Sequence, residues 1–197
     1  MIALGLRSNL PQARARTRHQ RSQVPFATSL ALNRTAEDAV KNVRKRIERA
    51  FDRPTPFTKE GITRTRATKR RLSARVLIKD KQAAFLQFQE RGGTRRPKRR
   101  AIVIPQRART NKYGNLARGA VRKLLARADT FTMGAAQGRR PGIYRRTPTG
   151  AKLLVSYEQR ARYSPRLRFA ETVQKTARAR FQIQFRRAMT EAMRTAR

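Results

Sequence analysis

Net charge constrains this chain more than any other feature of its sequence. The 197 residues carry 50 Lys and Arg against 11 Asp and Glu, a formal net charge of +39. A compact chain with so much like charge repels itself, so we expect nucleic acid, an acidic neighbour or both to offset it. Of the 50 cations, 39 are arginines, whose planar guanidinium suits phosphate and carboxylate contacts. The codon bias of a GC-rich genome would favour arginine equally.

Residue types needed for several kinds of chemistry are missing from the chain. With no cysteine and one histidine, it offers no disulfide framework, thiolate zinc site or cluster of histidine ligands. Its acidic residues are spread singly, apart from Glu37 and Asp38, so each is expected to pair with a cation. A glycine spacing typical of phosphate loops begins at Gly114, but Ala120 and Val121 stand where lysine and a hydroxyl residue are required. We therefore expect no enzyme, no cofactor and no metal, and no apolar run nears the roughly 20 residues that span a membrane.

The N-terminal part of the sequence predicts a basic arm followed by a long helix. Residues 1–24 contain several arginines and no acid, which is typical of a basic arm. Apolar residues then recur every three or four positions and predict a helix over 26–51, directly after Pro25. The prolines that follow end this helix, because proline disfavours helix at its own position and at the one before it.

The rest of the chain, up to residue 157, predicts several short elements. A Pro-x-Gly turn at 148–150 separates two extended runs and indicates a β-hairpin. Phe85 and Phe88 lie three residues apart, so a short helix is favoured there over a strand, which would place them on opposite faces. With the C-terminal helix, these elements are assigned to one domain, 25–197. The expected elements are sheet segments within 62–157 (extended runs at 62–80, 101–105 and 142–157), helices over 82–90 and 115–128, and a mobile loop over 132–142.

A long C-terminal helix is predicted over 166–195. An apolar residue recurs there every four positions, and a helix turns by about 100° per residue, so the stripe drifts by about 40° at each step. The stripe cannot face one flat surface throughout. Two interpretations stay open: the two ends touch different neighbours, one of them in another subunit, or the helix is bent or frayed. The first makes an oligomer interface of Phe169, Phe181, Phe185, Met189 and Met193.

Two groups of cations are the candidate contact sites. They would bind phosphate groups, which gives affinity without reading a base sequence, or they would bind an acidic protein. One group lies in the arm and consists of Arg14, Arg16, Arg18 and Arg21. The other lies in the middle of the chain and consists of Arg95, Arg96, Lys98, Arg99 and Arg100.

Three stretches resemble the minor tail protein Z, or tail completion, family of long-tailed phages and the related tail-component family. The first runs from Val24 to Ala36 and contains an Ala-x-Asn-Arg core in an early helix. The second runs from Ala84 to Gly93, where an aromatic segment leads into glycine. The third, Pro165 to Phe169, opens the long C-terminal helix.

The resemblance implies an α+β fold in which a small antiparallel sheet packs against the long N-terminal and C-terminal helices. It implies a structural virion protein of the head–tail junction or tail end, without catalytic residues, which assembles in the host cytoplasm. Such proteins form rings, commonly hexameric, around the channel through which double-stranded DNA passes. The expected partners are further copies of the chain, the portal or connector, tail-tube or tail-terminator proteins, and DNA bound non-specifically. The alternative is a ribosomal or other RNA-packaging protein, since those chains are similarly basic.

Overall fold

The computed structural model describes residues 10–135 and 138–195, with side chains described from residue 21 onward. This part of the chain contains five helices and eight strands, and every strand pair is antiparallel, so the fold is α+β. Its contacts form two compact units, where the sequence suggested one domain. Unit 1 combines residues 1–46, 60–79 and 169–197, and unit 2 combines residues 47–59 and 80–168.

Two antiparallel helices form the body of unit 1. They are α1, Leu10–Ala50, and α5, Phe169–Thr195. Arg34 pairs with Glu191 and Asn42 bonds to Thr176, so residues early in one helix meet residues late in the other. The core between the helices is built from four fully buried alanines, Ala27, Ala31, Ala188 and Ala192. Larger apolar residues of both helices pack against these alanines.

A two-stranded ladder completes unit 1. Strands β1, Ile62–Arg64, and β2, Val76–Ile78, pair in antiparallel register with Ile62 opposite Ile78. Ile62 is 1% exposed, whereas Leu77 is 43% exposed. The ladder therefore has a buried face and a solvent face, as the period of two in a strand requires. It confirms part of the extended segment that the sequence predicted over 62–80.

The described portion of the N-terminal arm, 10–24, is helical, because α1 begins at Leu10 instead of residue 26. Pro11 stands in the first turn, where a helix tolerates proline. Pro25 lies inside the helix, and alanine and arginine, which are frequent before it, are among the strongest helix formers. Pro25 therefore does not mark the start of the helix, and the predicted start at residue 26 was wrong. Residues 1–9 of the arm lie outside the described residues.

Unit 2 is built around a four-stranded antiparallel sheet. Its strands are β4, Ile102–Pro105; β5, Thr130–Met133; β6, Gly142–Thr147; and β7, Gly150–Glu158. They lie in the order β4-β7-β6-β5. The core consists of Ile143, Leu154 and Val155, with residues of a neighbouring short helix packed against them. Gly142 is required at the centre of this sheet, because a Cβ there would lie 2.1 Å from the carbonyl oxygen of Val155.

Other helices and strands of unit 2 lie outside this sheet. They are helices α2, Pro56–Lys59; α3, Asp80–Arg91; and α4, Ala120–Leu125; and strands β3, Gly93–Arg95, and β8, Ala161–Tyr163. The strand at 101–105, the hairpin around the Pro-x-Gly turn and the helix near Phe85 and Phe88 are confirmed. Strand β5 occupies residues that were partly expected to form a mobile loop.

Candidate nucleic-acid interface

The cationic run in the middle of the chain begins on a two-stranded ladder of β3 and β8. Thr94 lies opposite Arg162 and Arg95 lies opposite Ala161. The ladder is fixed to α3, because the rings of Phe88 and Tyr163 pack with centroids 5.8 Å apart. The base of this cationic segment is thus part of a defined fold.

Two glycines allow the chain to turn from α3 into the ladder. Gly92 and Gly93 have φ angles of 75° and 107°, in the region that favours glycine. A Cβ on Gly92 would also lie 3.1 Å from the carbonyl oxygen of Tyr163. The close approach of the α3 end to β8 therefore depends on the first glycine, and the reversal of direction on both.

Strand β8 and the residue before it add two arginines to the cationic run. Arg162 lies on β8 opposite Thr94, and Arg160 directly precedes β8, next to the last pair of the ladder, Arg95 and Ala161. Like charges gathered at one end of so short a ladder repel each other. A bound anion would relieve this repulsion. We call the whole set the basic ladder: Arg95, Arg96, Lys98, Arg99, Arg100, Arg160 and Arg162.

The cations of the basic ladder have no ion-pair partner in the part of the chain that the structure describes. All are exposed except Arg95, which is half-buried. Elsewhere in unit 2, carboxylates are already engaged: Asp129 pairs with Arg127 and Glu158 with Arg140, each at 2.7 Å. The hydrogen bond from Arg127 lowers the pKa of Asp129, so this carboxylate stays charged and committed to that arginine.

The arm cations lie on α1, in the other unit. Arg21 is exposed on α1 and belongs to unit 1. Arg14, Arg16 and Arg18 lie on the first turns of the same helix, and their side chains lie outside the described residues. The run at 95–100 was predicted from the sequence as a contact site, whereas Arg160, just before β8, and Arg162, on β8, were not. Their only local signal was an Arg-x-Arg alternation at a very short strand.

The apolar stripe of α5 packs within unit 1. Phe181, Phe185 and Met189 are half-buried against the alanine core, and the two phenylalanine rings lie 6.1 Å apart. Phe169 and Met193 are also half-buried. Their role in an oligomer stays a prediction. The centre of the stripe packs against the alanine core of unit 1, a role that was not predicted from the sequence.

No protein-family model, curated protein or solved structure matches the chain. Among the described residues, no group of three or more acidic or histidine side chains could hold a metal ion. None of the helices described is long and apolar enough to cross a membrane.

Proposed function

We propose that the chain is a structural protein of a phage head–tail junction or tail end, which contacts double-stranded DNA through the basic ladder. The observation that carries the proposal is the clustering of seven cations on and beside β3 and β8 without a carboxylate partner among the described residues. Duplex DNA presents about one negative charge per 1.7 Å of its axis. It is therefore a ligand whose charge density matches such a cluster.

Contacts of this kind are suited to DNA that must move. Phosphate contacts position a protein on the duplex but carry no sequence information, and they allow sliding along it. Arginine provides them without needing a particular base. In the proposed setting, copies of the chain form a ring, most simply a hexamer, around the DNA channel of the virion. Portal or connector proteins and tail-tube or tail-terminator proteins are the proposed neighbours.

The DNA part of the proposal is tested by the salt dependence of binding to a duplex of about 30 base pairs, with the full chain. A variant with Arg96, Arg99, Arg160 and Arg162 changed to glutamine should reduce the salt slope, by which we mean the magnitude of the slope of log K against log salt. The salt slope falls by about 0.9 for each phosphate that the protein no longer neutralises.

The matched control removes four exposed cations from the same unit: Arg109, Arg118, Arg122 and Lys123, each changed to glutamine. Because the net charge falls equally in both variants, a difference between them reports direct binding and not general attraction. Equal slopes for the two variants would contradict the assignment of the basic ladder. Tighter binding to an RNA duplex than to DNA would favour the RNA-packaging alternative.

The ring is tested by the absolute mass of nuclease-treated protein in high salt, where phosphate-driven binding is suppressed. A discrete ring-sized oligomer without nucleic acid supports the proposal. Ile183 is a suitable probe, since its side chain on α5 is 42% exposed. If α5 is an interface, Ile183→Asp should dissociate the oligomer while helix content is kept. An unchanged mass for this variant would exclude that face of α5, and a monomer in the wild type would exclude a ring that forms by itself.

A further inference from the structure

A second cationic segment lies in unit 1 and consists of β1, β2 and the stretch that connects them. Residues 61–79 contain no acid, and we call them the basic hairpin. The segment was recognised from the sequence as extended, but its charge was not assigned a role. It contains seven cations: Arg64, Arg66, Lys69, Arg70, Arg71, Arg75 and Lys79.

Backbone hydrogen bonds order the basic hairpin well beyond the two short strands. The amide of Thr65 donates to the carbonyl of Arg75 at 2.8 Å. Nearer the tip, Thr68 and Arg71 each donate an amide to the carbonyl of the other, at 2.9 and 3.1 Å. The hairpin therefore closes through a two-residue turn, Lys69-Arg70. Its cations are displayed on a ribbon whose two arms are hydrogen-bonded to each other at the base and at the tip.

A side chain of α1 fixes the hairpin to the helix. Asn33 donates Nδ2 to the carbonyl oxygen of Ala67 at 2.9 Å and accepts the amide of Ala67 through Oδ1 at 2.8 Å. Ala67 is 5% exposed, so both backbone groups are satisfied inside the protein. Near this anchor, Arg64 pairs with Glu37 at 3.3 Å, and the Lys69 ammonium lies 4.9 Å from the ring centre of Phe26. These two cations hold the hairpin against α1.

Four arginines of the hairpin take no part in the contacts that hold it against α1. Arg66, Arg70, Arg71 and Arg75 are exposed and have no carboxylate partner in the part of the chain that the structure describes. An anchored ribbon loses less conformational freedom on binding than a flexible loop would. A paired ribbon is also narrow enough to enter the major groove of DNA, which is about 12 Å wide.

We infer that the basic hairpin is a second DNA-binding element, a ribbon that lies against a duplex with its four free arginines on the phosphates. The inference rests on the proposed function for the identity of its ligand. It adds a binding surface in unit 1 to the basic ladder of unit 2. Asn33 is a positioning residue for it, since its amide holds the backbone at Ala67 and does not itself face the ligand.

The test uses the full chain and the same duplex of about 30 base pairs. The hairpin variant changes Arg66, Arg70, Arg71 and Arg75 to glutamine, and is expected to lower the salt slope by up to about 3.6, at about 0.9 for each phosphate. The matched control changes four exposed arginines of α5 in the same unit to glutamine and is expected to leave the slope nearly unchanged. These are Arg178, Arg186, Arg187 and Arg194. Equal slopes for the two variants would overturn the inference.

A second variant, Asn33→Ala, tests the positioning role without changing the net charge. It should expose the amide of Ala67 to hydrogen exchange and weaken duplex binding several-fold, while circular dichroism shows the same helix content. Unchanged binding, with the Ala67 amide exchanging freely, would refute the ordered ribbon. If the ladder variant has a lower salt slope and the hairpin variant does not, the proposed function stands and this inference fails. If the wild type does not bind duplex DNA, the proposed function fails.

Discussion

Asp38 provides the sharpest test of how the two helices of unit 1 hold together. Its Oδ2 accepts hydrogen bonds from Nε2 of Gln184 at 2.9 Å and Nε of Arg180 at 3.1 Å. The side chain is 23% exposed. Burial acts to raise the pKa of Asp38, but the hydrogen bonds from Gln184 and Arg180, with the arginine's charge, outweigh it and lower the pKa. The substitution Asp38→Asn removes the negative charge at nearly constant volume.

The expected decrease in stability follows from these contacts. A hydrogen bond to a charged group contributes about 1.5–3 kcal/mol, but Arg180 is 41% exposed, so solvent screens part of this. We expect Asp38→Asn to lower the free energy of unfolding by about 1–2 kcal/mol at pH 7. For a chain of this size each kcal/mol shifts Tm by about 2–4 °C. The variant should therefore melt about 2–8 °C lower than the wild type.

The pH dependence has a defined sign. Because the folded-state pKa of Asp38 lies below its ordinary value of 3.8, the unfolded chain takes up a proton first as the pH falls. The contribution of Asp38 is fully present above the unfolded-state pKa, and it is lost as the pH falls from about 5 through the folded-state pKa. The difference in stability between wild type and Asp38→Asn should therefore shrink over this range.

Urea unfolding at several pH values measures both effects, with the slope m checked for constancy. Asp52→Asn is the matched control, since Asp52 pairs with Arg53 at 3.1 Å but its side chain is 81% exposed. Exposed pairs contribute between zero and about 1 kcal/mol. Equal losses of stability for the two variants at pH 7 would refute the role of Asp38 in holding α1 to α5. The same conclusion would follow if the stability lost by Asp38→Asn did not become smaller in acid.

One substitution tests the packing of each unit, and each has a control substitution in the same unit. The free energy of unfolding of all four variants is measured by urea or thermal unfolding. Gly142→Ala should cost more than about 3 kcal/mol, because the new Cβ would lie 2.1 Å from the Val155 oxygen in the middle of the sheet; Gly119→Ala, in open space with a φ of 77°, should cost only about 1 kcal/mol. Ala188→Leu should cost about 1–3 kcal/mol by overpacking the alanine core of the helix pair, whereas Ala179→Leu on the exposed face of α5 should change stability by less than about 0.5 kcal/mol.

Much of the fold could be predicted because its signals are local. The turn at 148–150 and the strands beside it lie within 17 residues, Gly142–Glu158, and β4 is a short apolar run ending at Pro105. The apolar period after Pro25 placed most of α1 correctly. Its start was missed because proline raises the free energy of a helix without forbidding it, and the sequence before Pro25 suits a helix.

The buried face of α5 could not be predicted from the spacing of apolar residues along this helix. The most buried residues are Thr176, Gln184, Ala188 and Ala192, which lie beside the predicted stripe of phenylalanine and methionine. Alanine allows the two helix backbones to approach closely. The polar members are buried because α1 supplies partners: Asn42 bonds to Thr176, and Asp38 bonds to Gln184. A single helix sequence does not contain that information.

In the candidate surfaces too, local patterns could be predicted from the sequence, whereas contacts between distant parts of the chain could not. The run at 95–100 is a local charge pattern and was found. Arg160 and Arg162 join it only through the pairing of β8 with β3, across more than 60 residues of chain. The charge of residues 61–79 was visible in the sequence, but their order depends on Asn33, which lies on a different element, α1.

Five of the eleven acids of this chain hold elements of the fold together, which leaves fewer of them to offset the positive charge. In unit 1, Glu37, Asp38 and Glu191 bind arginines of other elements. In unit 2, Asp129 and Glu158 bind arginines near the sheet. An acid in such a contact cannot also offset the exposed arginines of the basic ladder or the basic hairpin. Since the chain has 50 cations for 11 acids, the charge of these two surfaces has to be neutralised from outside. The proposed ligand, duplex DNA, would supply that charge at the required density.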